Sequence, residues 1–239
     1  MSSELINTLS VADFHKVVPF DRAKDKLLLL DFSENNTDLS DKILLDTKKF
    51  SQYIHDKLEI ANAKYGIGGY AEHRNIYRRS ELFNATKKII AGENATDEPR
   101  RFHFGIDIWG KPFTPVMAPL EGKVHSFAFN NNFGDYGTTI ILSHRLDNRS
   151  FYTLYGHLSL ASIKNLQEGN TIKKGDVFAE FGIPQENGSW PPHLHFQIIK
   201  NMQGLKGDYP GVCKFSEKEI YMDNCPDADL ILGMMKYAE

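Results

Sequence analysis

The chain has 239 residues, 41% of them hydrophobic and 25% charged, and a formal net charge of −3. This is the composition of an ordinary soluble globular protein, long enough for one large domain or two small ones. The near-neutral balance leaves no electrostatic footprint for nucleic acid, and no block of like charges points to a membrane surface.

In chain order, the start "MSSELINTLSVADFHKVVPF" is broken by Glu4, Asp13, His15 and Lys16 and does not read as a secretory signal. The longest apolar run, "LLLL" at 27–30, is too short to span a bilayer. The two cysteines, Cys213 and Cys225, make no disulfide framework and lack zinc-site spacing, so they read as free thiols of a cytoplasmic protein. Oligomeric state is not readable.

"DKLLLLDFS" reads as a short buried strand. Residues 38–64 read as one helix, capped by Asp38 or Ser40, with Phe50, Ile54 and Leu58 recurring every four residues beside Tyr53. "GIGGY" and "AGENATDEP" read as turns or loops around a short apolar segment at 80–90. In "GGYAEHRNIYRRSELF", Arg74, Arg78 and Arg79 read as a solvated basic helix start. The functional alternative is that they receive a substrate carboxylate or phosphate.

Beyond residue 100 the texture is that of strands. "RFHFGIDIW", "GKVHSFAF", "TTIILSH", "SFYTLYGHL", "DVFAEFG" and "HLHFQII" are separated by the turn chemistry of "NNNFGDYG", "RLDNR" and "PQENGSW". The expected fold is mainly β (α+β overall), an antiparallel β-sandwich or barrel-like catalytic domain with a helix-containing N-terminal extension. The boundaries read as 1–99 for the extension, 100–215 for the β domain and 216–239 for a C-terminal tail.

Side chains alternate faces along a strand. In "RFHFGIDIW", His103 and Asp107 therefore share the face opposite Phe102, Phe104, Ile106 and Ile108. In "PHLHFQII", His193, His195 and Gln197 oppose Leu194, Phe196 and Ile198, and His157 takes the parity of Tyr155 and Thr153. Two or three imidazoles and one carboxylate suit zinc, with a coordination position left for water. Imidazoles left over would serve proton transfer or an oxyanion. His15, His55, His73, His125 and His144 have no such company and read as structural. The helical H-E-x-x-H zinc motif is absent.

The motifs "HFGID" (103–107), "APLEGKV" (118–124), "FGDYGTTIILSH" (133–144), "YGHLS" (155–159), "EGNTIKKGDVFAEFG" (168–182) and "PHLHFQ" (192–197) stand in one order over roughly residues 100–200. In that order and spacing they resemble the lysostaphin/LytM-type zinc metallopeptidases. The resemblance implies a duplicated hybrid (barrel-sandwich) domain with one Zn2+ on His103, Asp107 and His195, and His157 and His193 as the catalytic pair. It implies attack of zinc-bound water on a peptide or amide carbonyl, in a substrate that can come from cell wall, as in a peptidoglycan hydrolase, and a cell-wall substrate would imply an extracytoplasmic location. No nucleic acid or membrane is expected as a partner. The flanks look like the cytosolic version of this module seen beside phosphotransferase and class III aminotransferase modules. "GIPQENGSWPP" departs from the short Gly/Ser/Thr stretch usual before "HLHF", which puts Trp190 at the mouth of the site, to narrow it, stack on substrate or simply cover the barrel end. The rival readings are a phosphocarrier-like domain, which needs two facing histidines but no ligating Asp, and a non-catalytic zinc-binding module.

Overall fold

The Phe-, Ile- and Tyr-rich runs beyond residue 100 become strands of one large sheet in the computed structural model, which describes residues 2–84, 87–90, 93–96 and 98–239. The N-terminal part carries α1 (Ser2–Val11), β1 (Leu27–Leu29), α2 (Asp41–Leu44), α3 (Thr47–Ile60), β2 (Tyr65–Gly68), β3 (Glu72–His73), β4 (Lys87–Ile90) and β5 (Glu93–Thr96). The remainder carries β6 (Arg100–His103), β7 (Ile106–Trp109), β8 (Pro115–Met117), β9 (Gly122–Asn130), β10 (Gly137–Leu146) and β11 (Arg149–Leu158). It continues with β12 (Thr171–Ile172), β13 (Val177–Glu180), β14 (His193–Ile199), β15 (Val212–Lys214), α4 (Lys218–Asn224) and α5 (Asp229–Leu232).

The main sheet runs β1-β2-β7-β14-β11-β10-β9-β12. Its pairs are antiparallel except β1 with β2. It is mainly-β architecture without a closed barrel, and a smaller sheet, β15-β6-β3, lies beside it. One face of the main sheet packs Ile67, Ile106, Ile108, Tyr155, Leu194, Phe196 and Ile198 into the largest core cluster. The alternate residues of β7 and β14 are left on the opposite face, and that face carries the site.

Several elements differ from the sequence expectation. The helix expected over 38–64 is two, because Asp46 accepts hydrogen bonds from the backbone N–H of Lys48 (3.0 Å) and Lys49 (3.2 Å) and starts α3 anew. Phe50 and Ile54 are buried on its inner face, as the four-residue spacing requires. "GIGGY" is partly strand, since β2 inserts between β1 and β7. β1 lies at the edge of the sheet: Leu27 and Leu30 are buried as expected, but Leu29 is 50% exposed. The C-terminal residue caps this edge, with Leu29 N–H donating to Glu239 O (3.0 Å) and Glu239 N–H to Leu27 O (3.1 Å). The loop expected at 91–99 falls partly outside the described residues; its remainder includes β5, which pairs with β4. "RFHFGIDIW" is two strands in two sheets, with a corner at Phe104–Gly105. Among the described residues no helix is long and apolar enough to cross a membrane.

Two predictions arise from these elements. Asp46→Ala removes the carboxylate that caps α3 and is expected to lower stability, read as a fall in the urea midpoint. His144 is buried, its Nδ1–H donating to Glu121 O (2.9 Å) and its Nε2 bonded to Thr153 Oγ1 (2.7 Å). Burial pushes its pKa down from 6.5 to about 4. The unfolded chain therefore binds the proton first as pH falls, and this group destabilises the fold progressively from pH 6.5 down to 4. The loss is roughly 3 kcal/mol and flattens below pH 4. Urea unfolding of the metal-free protein across that window should show this slope, and His144→Gln should flatten it.

Candidate metal centre

Strand pairing delivers half of the site directly. In the β7–β14 register His195 lies opposite Asp107 and His193 opposite Trp109, and directly opposed residues share a face. His103 arrives from β6, across the Phe104–Gly105 corner. A Cβ on Gly105 would lie 2.4 Å from His195 Cε1, so the glycine of "HFGID" is what lets the imidazole slide beneath the corner.

Three acceptor atoms converge there. His195 Nδ1 is 3.0 Å from Asp107 Oδ1 and 3.0 Å from His103 Nε2, and His103 Nε2 is 3.4 Å from Asp107 Oδ1. The outer nitrogens are already engaged as donors: His195 Nε2–H to Gln197 Oε1 (2.9 Å) and His103 Nδ1–H to Gly69 O (3.4 Å). The Gln197 amide is itself oriented, its Nε2 donating to Pro210 O (3.2 Å) and Cys225 Sγ (3.2 Å). Those tautomers leave three lone pairs facing one another inside a triangle, an arrangement that repels unless a cation occupies the centre. Bonds of about 2.0–2.1 Å to a tetrahedral ion set the ligand atoms about 3.3 Å apart, close to the edges seen here. His103, Asp107 and His195 therefore fit a divalent metal.

The protonation states also suit ligation, which needs neutral imidazole and ionised carboxylate. Burial, seconded by the Arg74 charge, pushes His103 down to about 3. Burial alone would raise Asp107, but His103 and Arg74 outweigh it and hold the carboxyl well below its ordinary value. Arg74 donates from Nη1 to Asp107 Oδ2 (2.5 Å) and from Nε to Glu72 Oε2 (2.5 Å), and its side chain is completely buried. The expectation that Arg74 meets a substrate anion thus gives way: the guanidinium lies behind the triangle, committed to two protein carboxylates.

His157 reaches the same face by a route that parity does not foresee. Tyr155 lies opposite Phe196, and both belong to the core on the other face. Simple alternation would send His157 there as well. The pairing slips between Thr138↔Leu158 and Ile140↔Tyr155, so Gly156 and His157 both stand against Thr139. His157 takes up the slack in the left-handed region, φ 64°. A β-bulge of this kind re-aims a side chain. The His157 Nδ1–H donates to Asn187 O (2.8 Å) and the His193 Nδ1–H to Pro191 O (2.8 Å). The two rings lie 4.0 Å apart, and His193 stacks on Trp109 at 3.8 Å. Burial, with the neighbouring His193, holds His157 well below its usual pKa, and burial pushes His193 down to about 4. Both imidazoles are neutral, and among the described residues neither Nε2 has a hydrogen-bond partner.

These groups border a cavity of about 130 Å³ lined by Asp107, His157, His193 and His195 and by Tyr77, Tyr136 and Trp190. Trp190 is a buried part of its wall, donating from Nε1 to Asp135 O (3.2 Å). Asn187 pins the Trp190 turn by accepting from Trp190 N–H (3.0 Å) and donating to Trp190 O (3.0 Å). Arg79 does not line the cavity. It is buried 4.6 Å from the Trp190 ring and donates to Thr47 Oγ1 (2.8 Å) and Ser189 O (3.0 Å). Arg78 faces outward, donating to Leu39 O (3.2 Å) and pairing with Asp41 (3.0 Å). Arg74 and Arg79 are thus buried among the protein's own groups rather than solvated, while Arg78 is partly exposed. Tyr77, Tyr136 and Gln197 were not singled out from sequence. Gln197 had a signal in its shared parity with His193 and His195, and the Tyr136 hydroxyl lies 3.3 Å from His195 Nε2. Tyr77 had none, since its place depends on how the extension packs.

Comparison with known proteins agrees with this geometry. Residues 101–206 match peptidase family M23. The chain is 36% identical over 101 residues to an uncharacterised metalloprotease of Haemophilus influenzae, covering 42% of this chain and 19% of that one. It is 26% identical over 187 residues to the L-Ala–D-Glu endopeptidase of Bacillus subtilis, covering 64% of this chain and 53% of that one. The chain therefore spans about a fifth and about half of these two relatives. Among solved structures, the catalytic domain of the antimicrobial peptidase lysostaphin from Staphylococcus simulans aligns at 22% identity and a TM-score of 0.39, over 71% of this chain and 96% of that one. Residues 101–206, a little under half of the chain and the stretch that carries all five site residues, are therefore similar to peptidase family M23.

Proposed function

We propose that the protein is a zinc-dependent peptidase, with one ion on His103, Asp107 and His195 and with His157 and His193 as its proton-handling pair. The catalytic unit is residues 100–215, and residues 1–99 and 216–239 buttress it. The observation that carries this reading is the convergence of three lone pairs beside two further imidazoles whose Nε2 atoms are free. When bound, the metal supplies Lewis acidity that acidifies water and polarises a carbonyl. The chain's own residues do the rest. His157 or His193 takes a proton at Nε2 while its Nδ1–H stays bonded to a backbone carbonyl, so the imidazolium forms without turning. That same ring then gives the proton from Nε2 to the leaving amine, and the second ring, 4.0 Å away, offers its own Nε2 to share or relay it. The substrate is a peptide, and the named activity of the Bacillus subtilis relative, an L-Ala–D-Glu endopeptidase, supports a peptide bond following a small residue.

Metal analysis and peptide hydrolysis test this together. The expected outcome is one zinc per chain and a loss of hydrolysis of at least about 100-fold on chelation, restored by adding zinc back. Undiminished hydrolysis by the stripped protein, or stoichiometric zinc retained by both His103→Ala and Asp107→Ala, would overturn it.

A further inference from the structure

Ile76, Tyr77, Leu82 and Phe83, from a segment well ahead of the M23-matched stretch, line the same cavity as His157 and His193. We propose that this Asn75–Phe83 segment makes the site a pocket for the end residue of a short peptide with a compact apolar side chain, and excludes long chains. The proposal rests on the peptidase reading of this site and names its substrate class.

Size is the first argument. The cavity holds about 130 Å³. An apolar void of about 150 Å³ accommodates one benzene ring, and pockets for drug-sized ligands run to about 300–1,000 Å³. Four extended residues would need a run of roughly 13 Å. The volume therefore suits one side chain and the bond beside it. Lining is the second argument. Ile76, Leu82, Phe83 and Val212 line the cavity beside the machinery and offer contact to an apolar group, while Arg100, Asp135 and Asp208 give it a polar part that suits the backbone and charged end of a short peptide.

The third argument separates a fixed wall from a removable plug. The Ser80 hydroxyl donates to Phe133 O (2.5 Å), and Arg101 Nη1 donates to Phe83 O (2.9 Å). Arg79 bridges Thr47 on α3 to Ser189 O in the Trp190 turn. The Tyr77 and Phe83 rings lie 5.0 Å apart and are only 6% and 8% exposed. Segments that open easily have few buried contacts and exposed hydrogen bonds, and this one is tied to elements on both sides. It limits what enters in the resting protein.

The chain has two tryptophans, and both line the cavity, so intrinsic fluorescence reports occupancy without turnover. The test titrates the zinc-loaded full chain with Ala-Leu, Ala-Leu-Ala and a decapeptide containing Ala-Leu and blocked at both ends, and follows cleavage in parallel. The short peptides should bind at least tenfold more tightly than the decapeptide. In Leu82→Ala, at a position 39% exposed and safe for folding, and in Phe83→Ala, checked by its melting curve, that ratio should fall to threefold or less. Equal binding of the decapeptide, no binding of any peptide, or unchanged selectivity in Leu82→Ala would each overturn the proposal. Selective binding of short peptides without cleavage would instead sink the peptidase reading and leave the pocket standing. Cleavage of the decapeptide as fast as the dipeptide would do the reverse.

Discussion

Arg74→Ala is expected to lower the stability of the metal-free protein by about 3–5 kcal/mol and to weaken zinc binding by about 10–100-fold. Arg74 is the one cation bonded to Asp107 among the described residues, and it also holds Glu72. Its removal strands a carboxylate that burial alone would push towards protonation. The guanidinium further packs 5.4 Å from the Phe32 ring, and a Cβ on Gly68 would lie 2.3 Å from its Nη2. The void left behind is therefore as harmful as the lost charge. With the Asp107 carboxyl less depressed, acid should strip the metal from the variant at a higher pH than from the parent. Arg74→Lys keeps the charge but cannot bridge two carboxylates as a planar fork does, so it should recover only part of either loss. Urea unfolding and competition against a chromophoric chelator read the two effects separately. A variant within 1 kcal/mol of the parent and with unchanged zinc affinity would show that Asp107 needs no partner behind it.

What the sequence reveals of this site follows how local the determinants are. His193, His195 and Asp107 sit on regular strands, so period-two alternation and the β7–β14 register place them on one face. His103 is brought in by a corner that alternation cannot show, although the glycine enabling it stands in the motif. His157 lies on the parity of the core-facing Tyr155 and reaches the site through a bulge, a feature decided by tertiary register and not by composition. The basic run at 74–79 has a charged composition that suggests solvent, yet Arg74 and Arg79 are buried, because their carboxylate, carbonyl and aromatic partners come from distant parts of the chain. The helix break at Asp46 was legible in principle, as an aspartate ahead of a fresh apolar stripe, but the unbroken four-residue spacing outweighed it. Tyr77 and Phe83 come to the cavity only through the packing of the extension, and no pattern around them announces it.

His193→Ala and His157→Ala are expected to keep zinc near one per chain while lowering kcat by about 10²–10⁴-fold each, with little change in KM. Neither ring belongs to the triangle of converging ligand atoms, and each is fixed by its own carbonyl, Asn187 O or Pro191 O. The double variant should be scarcely worse than the poorer single one, because two groups serving one proton path do not contribute additively. His193 carries a further constraint: it is stacked at 3.8 Å on Trp109, itself completely buried. Trp109→Leu removes that platform without touching a ligand, and should lower kcat while sparing zinc, by less than His193→Ala does. Asn187→Ala breaks both bonds that pin the Trp190 turn and frees the carbonyl that orients His157. It should fall between the two in kcat and also raise KM, since Trp190 is part of the cavity wall. Zinc content measured beside kcat and KM separates these outcomes. Loss of metal in His193→Ala would move His193 into the ligand set, and full activity in both single variants would remove the pair from the chemistry.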